Sequence, residues 1–251
     1  MSTRLASNEI ALQRAYYAET AEKYDEMHVE NNEGHAFAMQ FFLSIIRELG
    51  VQSILDVGSG TGRALFEVKE RIPHVKVIGI EPSPELRGIG HSKGLAHDEL
   101  IDGDAMKLDF PDASIDLVCE FGALHHIPRP SEAVSEMLRV AKTAIFISDT
   151  NNFGQGSRLS RLMKQTLNAA RLWPLADWLK TKGKGYTITA GDGLAYSYSV
   201  FTDFPKIRAA CASVHLMNTK NAGPDLYRQA PTVAILGLKR KGAIRGKQKS
   251  I

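Results

Sequence analysis

The chain has 251 residues, 43% of them hydrophobic, enough to bury one substantial core without a second domain. Its formal charge of +3 combines 31 basic with 28 acidic residues. Six of the basic residues (Lys239, Arg240, Lys241, Arg245, Lys247, Lys249) follow Leu238, so the body before them is mildly acidic, and the tail 239–251 reads as a disordered extension. No apolar run is long enough to span a bilayer and residues 1–10 lack the apolar segment of a signal peptide, so a cytoplasmic location is expected. The two cysteines, Cys119 and Cys211, sit in apolar surroundings without metal-ligand spacing; they read as small core residues, and no metal is expected.

In chain order, helices are expected near 8–27 and 34–49, the second ending just before a strand that starts near Gln52. Ser53-Ile54-Leu55-Asp56-Val57 runs into Gly58-Ser59-Gly60-Thr61-Gly62, an apolar strand closed by an acid and followed by a glycine-rich turn. Val75–Ile80 reads as a second buried strand ending at Glu81, with Pro82-Ser83-Pro84 after it. A carboxylate at that position can accept both hydroxyls of a ribose lying across the sheet edge. Leu100 to Asp104 reads as a third strand, the segment to Cys119 and Glu120 as a fourth, Ser131 as the N-cap of the next helix, and 144–148 as a fifth strand. Strands near 213–219 and 232–238 complete the set. Alternating strands and helices point to a parallel sheet covered on both faces.

The glycine turn has two interpretations. A dinucleotide fingerprint needs its third glycine where Arg63 stands, and Gly62 falls one residue early. The turn followed by acids at 81 and 104 instead resembles the cofactor site of class I S-adenosylmethionine (SAM)-dependent methyltransferases, over roughly residues 10 to 150. The resemblance implies a Rossmann-like sheet in the order 3-2-1-4-5-7-6 with an antiparallel last strand. It further implies that Asp56, Gly58, Ser59, Gly60 and Gly62 hold the amino-acid end of SAM, Glu81 with Pro82 and Ser83 the ribose, and Asp104, Ala105 and Met106 the adenine. Glu120, Phe121 and His125 would also contact the cofactor, Phe121 and His125 at its boundary with the methyl acceptor. In Tyr16-Tyr17-Ala18 and on to Tyr24 the sequence resembles the segment that folds over the cofactor, with Tyr16 and Tyr24 as candidate contacts.

Ligands of open α/β sheets sit beyond the carboxyl ends of the strands. Glu120 to Pro128 lies there, and it lacks the Asn/Asp-Pro-Pro-aromatic motif of amino-directed nucleic-acid methyltransferases. That counts against DNA or RNA adenine methylation, and the run His125-His126-Ile127-Pro128 instead resembles small-molecule methyltransferases, so a small-molecule acceptor is expected and nucleic acid is not. A hydroxyl acceptor must lose a proton, and His125 and His126 are the candidate bases, His125 the preferred one; either can instead cap a helix or pack beneath the cofactor.

Residues 151–205 form an insertion, expected to be a helical lid. Its segment 156–185 holds both tryptophans and seven basic residues against the single acid Asp177. It can be a helical pair docked on the core with a wet basic face, a lid over an acidic or phosphate-bearing acceptor, or a surface that touches anionic lipid. Beyond it, Asp192, Tyr196 and Tyr198 are candidate substrate-wall residues. The expected activity is methyl transfer from SAM to an O or N atom of a small molecule. A macromolecular or carrier-bound substrate and a non-catalytic SAM-fold binding module stay open.

Overall fold

A computed structural model describes residues 12–13, 15–17, 19–20, 33–189, 191–220 and 223–240; Tyr24 and the tail beyond Arg240 lie outside them. The described residues between 12 and 20 are helical. Helix α1 (Glu33–Leu49) leads into β1 (Ser53–Val57), α2 (Arg63–Arg71), β2 (Lys76–Ile80), α3 (Pro84–Ser92) and β3 (Leu100–Ile101). After β4 (Ile115–Phe121) come a 3₁₀ turn (Leu124–His126), α4 (Pro130–Val140) and β5 (Ala141–Thr150). The insertion holds α5 (Arg158–Ala169), α6 (Trp173–Lys180) and the strands β6 (Tyr186–Thr189) and β7 (Gly193–Tyr196). Helix α7 (Phe204–Ala210), β8 (Cys211–Asn218), α8 (Leu226–Gln229) and β9 (Thr232–Lys239) follow.

Seven strands form one sheet in the order β3-β2-β1-β4-β5-β9-β8. β1 pairs in parallel with β2 and β4, while β9 runs antiparallel to both β5 and β8. This is the Rossmann-like order expected from the resemblance. Alternating side chains of each central strand feed two cores. Ile54 of β1 and Phe146 of β5 pack toward α1 and α2 with Phe42, Ile46 and Leu65. Leu55, Val57, Ile145 and Ile147 face the other way, against Val134 and Met137 of α4 and Ile207 of α7. A strand buried on both faces gains nothing from polar alternation, which is why these strands read as near-continuous apolar runs.

Four local expectations need correction. β3 has only two residues, so Asp104 does not close a strand; it lies in the turn beyond, exposed, with its Oδ1 accepting the Met106 amide at 2.8 Å. Ser131 is not an N-cap: α4 begins at Pro130 behind Arg129, and the Ser131 hydroxyl donates to Asp203. The insertion is not wholly helical, since β6 and β7 form a separate two-stranded antiparallel hairpin. Lys239, counted above with the tail, is the last residue of β9, and its Nζ donates to the Leu138 carbonyl at 2.5 Å.

The turn after β1 depends on left-handed backbone, with φ of 75° at Gly58, 56° at Gly60 and 86° at Gly62. At Gly62 a Cβ would also overlap Leu95 Cδ1. Gly62→Ala therefore meets conformational strain and a core clash together and is expected to cost about 2–4 kcal/mol. Thermal unfolding measures it, and an unchanged Tm would contradict this assignment.

Candidate active site

The site forms where β1 and β4 lie side by side and the strand order reverses. The amides of Gly58 and Ser59 both donate to the Ile80 carbonyl, at 2.9 and 3.0 Å, and so stitch the glycine turn to the end of β2. Glu81, the next residue, completes the joint. Its Oε2 accepts the Gly60 amide at 3.0 Å and its Oε1 the Ser83 amide at 2.9 Å. Burial pushes the Glu81 carboxyl up to about 7, against the downward pull of those two amides. A carboxylate offers about four lone-pair directions, so two remain for a ligand.

Two adjoining cavities open above this joint. The larger, about 260 Å³, lies beside Ile80, Glu81, Pro82 and Ser83 and is faced by Asp104, Ala105 and Met106. Its apolar wall and free carboxylate lone pairs suit a purine nucleoside, with a flat ring against Ile80 and Met106 and hydroxyls toward Glu81. The smaller, about 90 Å³, lies around Asp56, Ser59, Arg63, His125 and Asp192. Gly58, Phe121, His126 and Tyr17 border both, so one cleft runs from Glu81 to the histidines. A Cβ on Gly58 would overlap that of Ala123 at the cleft wall, which only glycine avoids.

Other expected site residues lie elsewhere. Gly60 and Gly62 shape the turn and border neither cavity. Glu120 is fully buried beneath the cleft, its Oε2 accepting the Ala123 amide at 2.9 Å. Burial, then the charge of Asp149, pushes its carboxyl well above the usual range. Tyr16 packs against Gly193 and Tyr17 takes the cleft position instead. Tyr196 stacks edge-on with Tyr186 across the hairpin at 6.1 Å. Tyr198 lies beyond the end of β7, and its buried hydroxyl donates to Asp203 at 3.1 Å, so it is a core anchor rather than a cleft wall.

The acceptor end is a cluster of titratable groups. His125 Nδ1 donates to Asp149 Oδ1 at 2.6 Å, and Asp149 Oδ2 also accepts the Leu124 amide at 2.8 Å. Burial works to lower the His125 pKa, but the charge and hydrogen bond of Asp149, helped by Asp192, raise it to about 10. His125 is therefore an imidazolium at neutral pH. His126 Nδ1 donates to the Leu194 carbonyl at 2.7 Å, leaving Nε2 turned to Asp192 Oδ1 at 3.5 Å. Asp192 Oδ2 lies 3.6 Å from His125 Nε2. Burial works against the charge on Asp192, yet the two histidines hold its carboxyl far below the usual range. The ligand atoms of His125, His126 and Asp192 lie within 4.8 Å of one another, a spacing a divalent cation accepts, although the second proton on His125 competes with it.

Three further residues line the cleft, and a fourth, Asp149, is buried beneath it. Gln13, from the N-terminal helical segment, accepts the Leu194 amide at 2.6 Å and faces the larger cavity. His35 of α1 borders the smaller one, its Nδ1 3.1 Å from Ser148 Oγ. Burial, with Arg63 nearby, lowers its pKa to about 4, so it is neutral. Arg63 lies over the Phe121 ring at 5.9 Å and can meet a ligand carboxylate. Asp149 closes β5 as Glu81 follows β2, and the strand-end rule that selected Glu81 applies to it equally. Gln13 and His35 carry no comparable sequence signal, since their partners are 181 and 113 residues away.

The His125–Asp149 pair has a defined pH signature. His125 holds its proton more tightly folded than unfolded, so its stabilisation is complete below the ordinary histidine value near 6.5 and is lost as pH rises through about 10. Asp149→Asn is expected to lower stability by about 3 kcal/mol at neutral pH, with the gap to wild type narrowing toward pH 10. Denaturant unfolding across that range measures it, and a gap independent of pH would contradict the pairing.

Residues 55–146, from β1 through most of β5, match the family model described as "Methyltransferase domain". The demethylmenaquinone methyltransferase of Deinococcus radiodurans is 37% identical over 91 residues, 35% of this chain and 37% of that protein. The protein of the same name from Geobacillus stearothermophilus is 35% identical over 106 residues, 39% and 45% of the two chains. The chain thus spans less than half the length of these curated relatives. Among solved structures, a possible histamine N-methyltransferase from Thermotoga maritima matches at a TM-score of 0.55 and 18% identity, over 90% of this chain and 99% of that one. Magnesium protoporphyrin IX methyltransferase from Synechocystis PCC 6803, solved with bound SAH, matches at 0.57 and 12% identity, over 92% and 99%. At those identities the likeness is one of fold. Sheet order and family match agree in kind: residues 55–146 match a methyltransferase domain and lie on a sheet of the Rossmann-like order.

Proposed function

We propose that the chain transfers a methyl group from SAM to an O or N atom of a small molecule, the acceptor lying between the cofactor and the His126–Asp192 pair. The observation that carries this is the continuity of the cleft, which joins the Glu81 carboxylate to the histidine cluster past Gly58 and Phe121. Glu81 would accept the ribose hydroxyls, Met106 and Ile80 would cover the adenine, and Arg63 would hold the amino-acid end. SAM supplies a methyl group on a sulfonium, transferred by in-line displacement, so much of the protein's work is alignment. Gln13 and Tyr17 from the N-terminal segment and Asp192 before β7 would close the cleft against water.

The charge state of His125 reverses the order of the two candidate bases. With its proton held to about pH 10, His125 has no lone pair to offer at neutral pH. Its role is to fix Asp192 and to favour an acceptor oxygen that becomes anionic. His126, with its Nδ1 proton on the Leu194 carbonyl, presents Nε2 as the acceptor of the substrate's proton, and Asp192 then stabilises the imidazolium formed.

Two measurements test this. His126→Gln is expected to lower the rate of methyl transfer by about 10²–10⁴-fold while S-adenosylhomocysteine binding survives. Full activity in that variant removes the base from His126. Calorimetric affinity for S-adenosylhomocysteine should rise with pH through about 7, because only the ionised Glu81 accepts two hydroxyl donors. Glu81→Gln should flatten that dependence; a wild-type affinity indifferent to pH between 5 and 8 would place the ribose elsewhere.

A further inference from the structure

The two helices of the insertion are built inside out. In α5, Leu159, Leu162, Met163 and Leu167 recur at helical spacing and form one apolar stripe, which in an ordinary globular helix faces the core. Here the polar side faces the protein. Lys164 Nζ donates to the Asn152 carbonyl, Gln165 Nε2 to the carbonyls of Phe153 and Arg228 at 2.9 and 3.1 Å, and Asn168 Nδ2 to the Tyr227 hydroxyl at 2.8 Å. The stripe points outward, with Leu159 76%, Leu162 62% and Met163 57% exposed. α6 repeats the arrangement. Trp173 packs on Phe153 at 5.6 Å and Asp177 accepts the Ser197 hydroxyl at 2.5 Å, while Leu175, Trp178 and Leu179 are 58%, 57% and 62% exposed. Neither helix has a buried residue, which counts against the first of the three readings, a pair docked on the core with a wet basic face.

An apolar face this extensive marks a surface with an external partner. Its cations indicate which kind. Arg158, Arg171, Lys182 and Lys184 are exposed and pair with no carboxylate among the described residues; Lys180 reaches Asp177 only at 4.0 Å. A second copy docked face to face would bring two such sets of positive charge together. Nucleic acid would satisfy the cations and leave the leucines wet. Leucines, an exposed tryptophan and a rim of unpaired Lys and Arg together fit the headgroup boundary of an anionic bilayer. Among the described residues no helix is long and apolar enough to cross a membrane, so contact of this kind lies in the surface plane.

We propose that the outward face of α5 and α6 is a docking surface for membranes containing anionic phospholipid. None of its residues borders the cleft, so the surface can be altered without touching the methyl-transfer site.

Flotation of the full chain with vesicles of phosphatidylcholine, alone or mixed with phosphatidylglycerol, tests this. Binding should be at least about tenfold tighter to the anionic vesicles and should weaken with added salt. The double variants Leu162→Ser/Trp178→Ser and Arg158→Glu/Lys182→Glu should each lose it while unfolding at the wild-type temperature. Absence of binding to both vesicle types overturns the proposal, as does equal binding to both. Concentration-dependent dimerisation in analytical ultracentrifugation, abolished by the same substitutions, assigns the face to a second copy and also overturns it. Neither arm depends on methyl transfer, so the outcome is separate from that of the proposed activity.

Discussion

The buried Glu81 carboxylate is the constraint on which the site is built. A glycine-rich turn has little intrinsic shape, because glycine gives up more conformational freedom on folding than any other residue. Glu81 supplies the missing rigidity by accepting the Gly60 amide with one oxygen and the Ser83 amide with the other. Leaving a buried carboxylate without such donors would cost several kcal/mol; holding it with backbone amides instead fixes the turn, the end of β2 and the start of α3 to one another. The turn in turn sets Gly58 against Ala123 and so determines where the histidine segment passes.

A second ionisable anchor organises the opposite end. Asp149 closes β5 and receives both the imidazole of His125 and the amide of Leu124, which fixes the 3₁₀ turn on the sheet. The two anchors differ in kind. Glu81 titrates near neutrality because burial opposes its charge, whereas the His125–Asp149 pair stays ionised because each partner stabilises the other. This asymmetry separates two neighbouring histidines that look equivalent in the sequence. His125 is locked as a cation; His126, bonded to a backbone carbonyl of the hairpin, keeps one nitrogen turned to the cleft.

Much of the sheet was legible in the sequence because buried parallel strands and their punctuation are local signals: Ser53–Val57 before three glycines, Lys76–Ile80 before Glu81. The cleft residues near those strand ends, Asp56, Glu81, Met106 and Phe121, were legible for the same reason. What escaped was set by long-range packing. Tyr17 rather than Tyr16 faces the cleft because Gly193, far along the chain, accommodates the Tyr16 ring. Tyr198 and Tyr196 alternate as a strand should, but β7 ends at Tyr196 and the next tyrosine turns inward to Asp203. In α5 and α6 the apolar spacing marks a helical stripe but left a docked pair, a lid and a lipid-facing surface all open, since periodicity shows that a stripe exists and not which medium it meets.

The most direct test of the central claim is a crystal structure of the chain with S-adenosylhomocysteine. The ribose hydroxyls should lie within hydrogen-bonding distance of Glu81, the adenine between Ile80 and Met106, and the sulfur on the side facing His126. A nucleoside bound anywhere else, or Glu81 bridging Gly60 and Ser83 with no ligand oxygen near it, would contradict the account.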